Sequence, residues 1–454
     1  MSFFSEIEQR RAQYEDLAAK TVEQALKKGA HQVKIKIGAG KGINVSAREG
    51  EIENLEFNQM LGMAVRVYRD HHSASVSTND FSQESIETAI DSALSLSQYT
   101  SPDDFAGLCD EADLYQGGVE IKNCYALEED PDAVVKRAIE FEQLGIAKIP
   151  AFKDQGLVKS DGSLYSIEYD LEILATSHGF CRSKAESTVS KYIGFVGARD
   201  GVMQTSSSGQ TMTNPAQEWS DERLVDEAIE RTLGKLGARK VKTGKYNVIF
   251  RRAGSGFIAS CLSGLTGNLI YHNSSYLKDK LGEQIYPNFI TIQEDPWRAD
   301  GLCSSAFDSD GVATRPLTLV ENGVLKEYLL DTYSARKLKM RCNGHNDSLY
   351  NTWVTADSAH TCSLEEMMRQ AGSGIVIDGL MGQGVNVVNG NYSRGLSGFY
   401  FENGERVHAV DEVTVAGNML DMTRNIALLG SDVDERRFLQ VGSILIPEIT
   451  ISGD

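Results

Sequence analysis

The sequence predicts an α+β protein: an N-terminal region of α/β-sandwich type, followed by a large, Gly-rich, mostly antiparallel β C-terminal domain. Three observations carry this expectation. Residues 5–97 read as helix, strands, helix. Residues 163–199 hold two long stretches of period-two alternation. Beyond residue 240, glycines and short apolar runs dominate and two Asn-Gly pairs mark tight turns.

The first helix spans 5–28, where Ile7, Tyr14, Leu17, Ala18, Val22, Ala25 and Leu26 fall on one stripe. Lys27 and Lys28 suit a helix C-terminus, and Gly29 supplies the left-handed stop. Four short strands follow, around Val33 to Ile37, Ile43 to Val45, Ile52 to Phe57, and Met63 to Val67. Between the first two, Gly38-Ala39-Gly40-Lys41-Gly42 reads as a hairpin turn. It is a poor phosphate cradle, because no Ser or Thr follows the Lys and no helix pattern opens there. A second helix covers 83–97, with Ile86, Ala89, Ile90, Ala93 and Leu94 on one face.

Residues 101–130 read as loop, and Pro131 with Asp132 opens a helix to about Gly145. In 163–176, Tyr165, Ile167, Tyr169, Leu171, Ile173 and Ala175 alternate, and a partner strand runs over 187–199. The polar tract from Gln204 to Asn214 reads as a turn-rich, mobile loop. Ser220 begins a further helix, with Asp221 and Glu222 in its first turn and a stripe from Leu224 to Leu236. After the basic stretch 239–245 comes the main boundary, which gives three segments: 1–100, 101–240 and 241–454. In the last segment, Asn322-Gly323 and Asn403-Gly404 each predict a type I′ hairpin.

Charge and cysteine content narrow the functional classes. The net charge is −19, from 45 basic and 64 acidic residues. Such a surface repels nucleic acid and anionic lipid, so a protein or peptide partner is the expectation. No stretch approaches the ~18 apolar residues of a membrane span, and the first residues lack the apolar core of a signal peptide. Seven scattered cysteines, without a Cys-x-x-Cys pair, predict a reduced, cytoplasmic setting rather than a disulfide framework.

Catalytic chemistry is hard to place on these residues. A hydrolytic zinc site needs three protein ligands and an open position, often two His on one helix face with a Glu between them. None of the eight His is followed by Glu, and none has a second His four or five residues on. His71-His72 reads as part of a strand, with the rings on opposite faces. The pairs His178/Cys181 and Cys342/His345 have ligand-like spacing, but their plain reading is buried thiols and loop imidazoles. No Gly-x-Ser-x-Gly elbow is present. The most singular stretch is 381–404, MGQGVNVVNGNYSRGLSGFYFENG, which packs glycines around Asn391, Tyr392, Ser393 and Arg394. It reads as a peptide-binding or interface surface, or else as tight β-turns with Arg394 in a buried ion pair.

That stretch, with DEVTVAGNMLDMTRNIALLGSD at 411–432, resembles the C-terminal signature of the TldD/PmbA peptidase family. The segments at 274–285 and 306–338, and GSILIPEITISG near the end, agree with it. The resemblance is to the TldE (PmbA) type of subunit. It implies a heterodimeric zinc metallopeptidase acting on unstructured peptides in the cytoplasm, including peptide antibiotics and an antitoxin. A TldD-type partner would carry His-Glu-x-x-x-His and a distant Cys as zinc ligands. In this chain those positions fall at Ser260, Cys261, Leu265 and Val441, so no zinc is expected here and none of these residues is expected to be catalytic. A homodimer of the isolated chain is also expected. Two alternatives remain: a stand-alone binding protein of the gyrase-modulator kind, and a hydrolase with its own Cys/His chemistry.

Overall fold

The computed structural model describes residues 3–346 and 348–454. Its first half builds one six-stranded sheet. Helix α1 (Phe3–Lys27) leads into β1 (Gln32–Arg48), β2 (Glu51–Arg69) and β3 (His72–Thr78), then α2 (Gln83–Ser97) and α3 (Pro131–Phe152). β4 (Leu157–Thr176), β5 (Cys181–Arg199), β6 (Val202–Met212) and α4 (Asp221–Gly234) complete it. The strand order is β3-β2-β1-β4-β5-β6, antiparallel throughout, so residues on both sides of position 100 share one sheet.

All four helices cover the same face. Val33, Ile35 and Ile37 of β1 pack with α1 and α2, whereas Ile43, Val45 and Ala47 pack with α3. Farther along, Ile193 and Phe195 of β5 meet Leu224, Val225 and Ala228 of α4. The opposite face leans in part on the C-terminal half: Leu174 joins its core, and Lys34 Nζ lies 2.5 Å from Asp310 Oδ1.

Several sequence expectations change here. The expected four short strands are two long ones. Gly38 to Gly42 is not a turn but the middle of β1, paired with β2 on one side and β4 on the other. Glycine is needed there for close strand packing. A Cβ at Gly40 would sit 2.7 Å from Asp170 Oδ1, and one at Gly42 would sit 2.8 Å from the Ile167 carbonyl. The tract 204–214 is not a mobile loop. Most of it is β6, in register with β5 from Arg199↔Val202 to Val189↔Met212. Its alternation is real but carried by small polar residues: Ser208 and Gln210 are buried beside Met212. The His pair is also split. Asp70 and His71 both take positive φ and form the β2–β3 turn, while His72 opens β3.

The second half contains β7 (Gly244–Phe250), α5 (Gly254–Leu262), α6 (Gly267–Tyr271), β8 (Ile290–Asp295), β9 (Leu317–Glu321), β10 (Val324–Leu325), α7 (Thr332–Leu338) and β11 (Asn351–Ala356). There follow β12 (Thr361–Cys362), α8 (Leu364–Ala371), β13 (Ser373–Met381), β14 (Val385–Asn386), β15 (Asn391–Glu402), β16 (Glu405–Asn418), α9 (Met419–Arg424), β17 (Leu428–Gly430), β18 (Leu439–Gln440) and β19 (Ile444–Ser452). A five-stranded sheet runs β10-β9-β8-β11-β18. In the larger sheet, β7 pairs with β13, β13 with β15, β15 with β16, β16 with β19, and β19 returns to β7. The pairing therefore closes into a ring. Both Asn-Gly turns hold the positive φ that a type I′ hairpin demands: 48° and 81° at Asn322-Gly323, 52° and 79° at Asn403-Gly404. The α+β class, with its antiparallel-rich C-terminal half, is the one expected.

Candidate functional site

Helix α5 borders a cleft between the two halves. It follows β7, whose Val248, Ile249 and Phe250 are wholly buried. Its start is pressed against the segment before β19. A Cβ at Gly254 would stand 3.2 Å from the Gly442 carbonyl and 3.5 Å from Val441 Cγ1. Phe257, Ile258, Cys261 and Leu262 face the core. Ser255, Gly256 and Ala259 instead line a cleft of about 440 Å³.

Across that cleft lie Tyr192 of β5 and residues 207–211 of β6, with Phe438 and Leu439 beside them. β6 is the edge strand of its sheet, and three of its outward carbonyls are occupied. Thr205, Ser207 and Gly209, spaced two apart, accept from Lys235 Nζ at 2.9 Å, Arg231 Nη1 at 2.9 Å and Arg436 Nη1 at 3.2 Å. Arg436 is itself fixed. It reaches both oxygens of Asp434 at 2.7 and 2.9 Å, Glu227 Oε2 at 2.8 Å, and stacks over the Trp219 ring at 4.3 Å. Burial alone would raise the Glu227 pKa. Hydrogen bonds from Arg436 and Ser208, with the charge of Arg231, outweigh it and hold the carboxyl at about 2. Two cations of the cleft wall, Arg231 and Arg436, are thus held in place by Glu227.

The four positions singled out on α5 and near β19 do not form a metal site. Ser260 is half-exposed, and its hydroxyl donates to the Gly256 carbonyl of its own helix at 2.8 Å. Cys261 points the other way, into the core. Its thiol is pushed far up by burial, and Tyr276 Oη donates to its carbonyl at 2.7 Å. Leu265 and Val441 are buried aliphatics without a donor atom. A catalytic zinc takes three N, O or S ligands, and this set does not fit one. Among the described residues no group of three or more His, Cys, Asp or Glu is placed to hold a metal.

The two Cys/His pairs have separate duties. His178 Nδ1 lies 3.1 Å from the Cys109 carbonyl, and Cys181 Sγ contacts the Glu15 carbonyl. Cys342 Sγ lies 3.3 Å from the Leu330 carbonyl. His345, fully buried, bridges Glu294 and the Asn343 carbonyl.

The stretch around Arg394 packs behind α5. Tyr392 is buried and meets Phe257 edge-on, with ring centroids 5.9 Å apart. Its hydroxyl and Arg394 Nε are buried without a hydrogen-bond partner. Arg394 makes no ion pair with a carboxylate among the described residues, and the residue opposite it on β16 is Val415. Asn391 and Ser393 are exposed on β15, where the Ser393 N–H donates to the Gly384 carbonyl at 2.7 Å. The sequence reading did not pick out Arg231, Lys235 or Arg436. Isolated basic residues on a helix and in a loop carry no periodicity that marks a site.

Comparison with known proteins places the whole arrangement. The profile of the PmbA/TldA metallopeptidase C-terminal domain matches residues 243–453, and that of domain 1 matches residues 34–97. The metalloprotease PmbA of Escherichia coli O157:H7 is 33% identical over 458 residues, covering 100% of this chain and 99% of that one. The chain belongs to the TldD/PmbA metallopeptidase family. Within the TldD/PmbA family it is of the PmbA/TldE type. A PmbA homolog from Haemophilus influenzae is 33% identical over 95% of this chain and 94% of its own. Two solved structures share the TldD/PmbA fold. One is a protein described as a modulator of DNA gyrase from Bacteroides thetaiotaomicron, with TM-score 0.87 and 23% identity over 97% of this chain and 98% of that one. The other is TldE from Thermococcus kodakarensis, with TM-score 0.83 and 20% identity over 96% and 100%. No helix among the described residues is long and apolar enough to cross a membrane.

Proposed function

We propose that this chain is the non-catalytic subunit of a two-chain metallopeptidase. A TldD-type partner supplies the zinc, and this chain closes the shared chamber and holds an extended, unstructured peptide. One observation carries the reading: a cleft with fixed walls borders α5, yet Ser260, Cys261, Leu265 and Val441 offer no three-donor set. The net charge of −19 favours a peptide or protein partner over nucleic acid. The substrates are unfolded peptides of the cytoplasm, such as peptide-antibiotic precursors and antitoxins, and the isolated chain pairs with itself across the surface meant for its partner.

The test is reconstitution with a TldD-type chain from the same genome. The expected result is co-purification, with chelator-sensitive cleavage of an unfolded peptide by the pair and none by this chain alone. Chelator-sensitive cleavage by this chain alone would overturn the reading. So would capture of gyrase from extract without any TldD-type chain, which would favour a stand-alone binding protein.

A further inference from the structure

Beside the cleft, a narrower pocket of about 150 Å³ opens between α4 and strands β13, β15 and β16 of the ring. Six cations line it: Arg231, Lys235, Arg251, Arg252, Arg406 and Arg437. Only three carboxylates share the lining, in a chain whose net charge is −19. Two of the three are already committed. Asp378 takes Arg251 in a two-point pair, at 2.6 and 2.6 Å. Asp434 is engaged by Arg436 and reaches Arg437 only at 3.6 Å. The third, Glu230, meets Arg252 at 3.4 Å.

Lys235 and Arg406 have no carboxylate partner among the described residues. They rest on the backbone carbonyls of Thr205 and Gly234. Arg231 Nε is a buried donor with no acceptor. Burial, reinforced by neighbouring guanidinium groups, pushes Arg231 and Arg406 below the ordinary arginine range, and burial does the same to Lys235. Arg231 and Arg437 line both the pocket and the larger cleft, so the two spaces adjoin. Because the outward carbonyls of Thr205, Ser207 and Gly209 are occupied, a peptide lying in the cleft meets charge here rather than a free strand edge.

We propose that this pocket binds a carboxylate of the peptide held in the cleft, either its C-terminus or an Asp or Glu side chain. The three carboxylates in the lining repel a phosphate dianion more than a singly charged carboxylate. A carboxylate also accepts two parallel N–H donors from one guanidinium. This proposal rests on the reading above only in that a peptide occupies the cleft.

The experiment measures peptide binding by fluorescence anisotropy, with the full chain alone and with its TldD-type partner. Three labelled peptides without internal acids are compared: a free C-terminal acid, its C-terminal amide, and an amide ending in Glu. The expected result is about ten-fold tighter binding of the free acid than of the plain amide. Equally tight binding of the Glu-ended amide assigns the site to side chains as well, and weak binding of it assigns the site to the C-terminus alone. Lys235→Gln with Arg406→Gln is expected to remove the difference between the free acid and the plain amide. Equal affinity of wild-type protein for all three peptides, in both the chain and the complex, overturns the proposal, and it needs no variant to fold. That outcome leaves reconstituted peptidase activity untouched, so failure of this proposal is distinct from failure of the subunit reading.

Discussion

The two large sheets hold themselves together differently. The six-stranded sheet is open, covered by helices on one face, and fastened by charges buried under them. Lys191, at 0% exposure, reaches Glu218 at 2.6 Å, the Trp219 carbonyl at 2.5 Å and Asp221 at 2.9 Å. Glu142, also fully buried, accepts from the N–H groups of Glu49 and Gly50 in the β1–β2 turn and from the Ser160 hydroxyl. The C-terminal ring is closed instead around aromatic and aliphatic packing, with Phe250 stacked on Phe257 at 4.5 Å and Phe257 edge-on to Tyr392. The lesson is one of geometry. An open sheet has ends and edges at which strand and helix termini must find polar partners, whereas a closed ring satisfies its backbone by pairing alone.

The contrast is tested most strongly at its two centres. Lys191→Ala is expected to cost about 3–5 kcal/mol, because Glu218 and Asp221 lose a buried cation. Lys191→Met, which keeps the stem, should recover little of that. Phe257→Ala is expected to cost about 3–5 kcal/mol through a cavity, and Phe257→Leu should recover most of it. Denaturant melts of the four variants decide the matter. A Lys191→Met protein as stable as wild type would break the distinction.

A smaller effect depends on pH. The Glu227 carboxyl is held at about 2 in the folded protein, below its ordinary 4.5. Its stabilisation is therefore complete above about pH 4.5 and is lost as the pH falls toward 2. Glu227→Gln should lower stability at pH 7 by on the order of 3 kcal/mol and flatten the acid limb of the stability profile. An acid limb as steep as that of wild type would place the acid sensitivity elsewhere.

The smallest effect is local. Ser220 caps α4 by accepting from the Arg223 N–H at 3.3 Å, and Ser220→Ala should cost about 1 kcal/mol in a thermal melt. A loss several times larger would show that the cap also organises the Lys191 network next to it.

Legibility in the sequence followed the kind of side chain that carried each signal. Helices α1, α2 and α4 and the two Asn-Gly hairpins were readable, because apolar stripes and turn residues announce themselves at fixed spacing. β6 was missed because its alternation within 204–212 is written in Ser, Gln and Thr. Ser208 and Gln210 can be buried because Glu227, Gln217 and Trp219 of the sequence that follows provide hydrogen-bond partners. Gly38 to Gly42 misled for the opposite reason: glycine marks turns, but it equally marks strands whose neighbours come too close for a Cβ. The positions Ser260 and Cys261 were legible only through the family resemblance. That adjacent residues of α5 point to different surroundings, one half-exposed and one in the core, requires the fold.

Ring closure also sets an order of events during synthesis. β7 is among the first strands of the C-terminal half to leave the ribosome, and β19, which seals it, is the last. Until Ile444–Ser452 emerges, β7 lacks one neighbour and the half-built ring presents an unpaired edge to solvent. The six-stranded sheet has no such wait, since all of its strands precede residue 213. Nascent chains halted before residue 444 are therefore expected to resist protease up to about α4 and to be cut beyond it. Equal resistance in both halves would show that the ring forms without its closing strand.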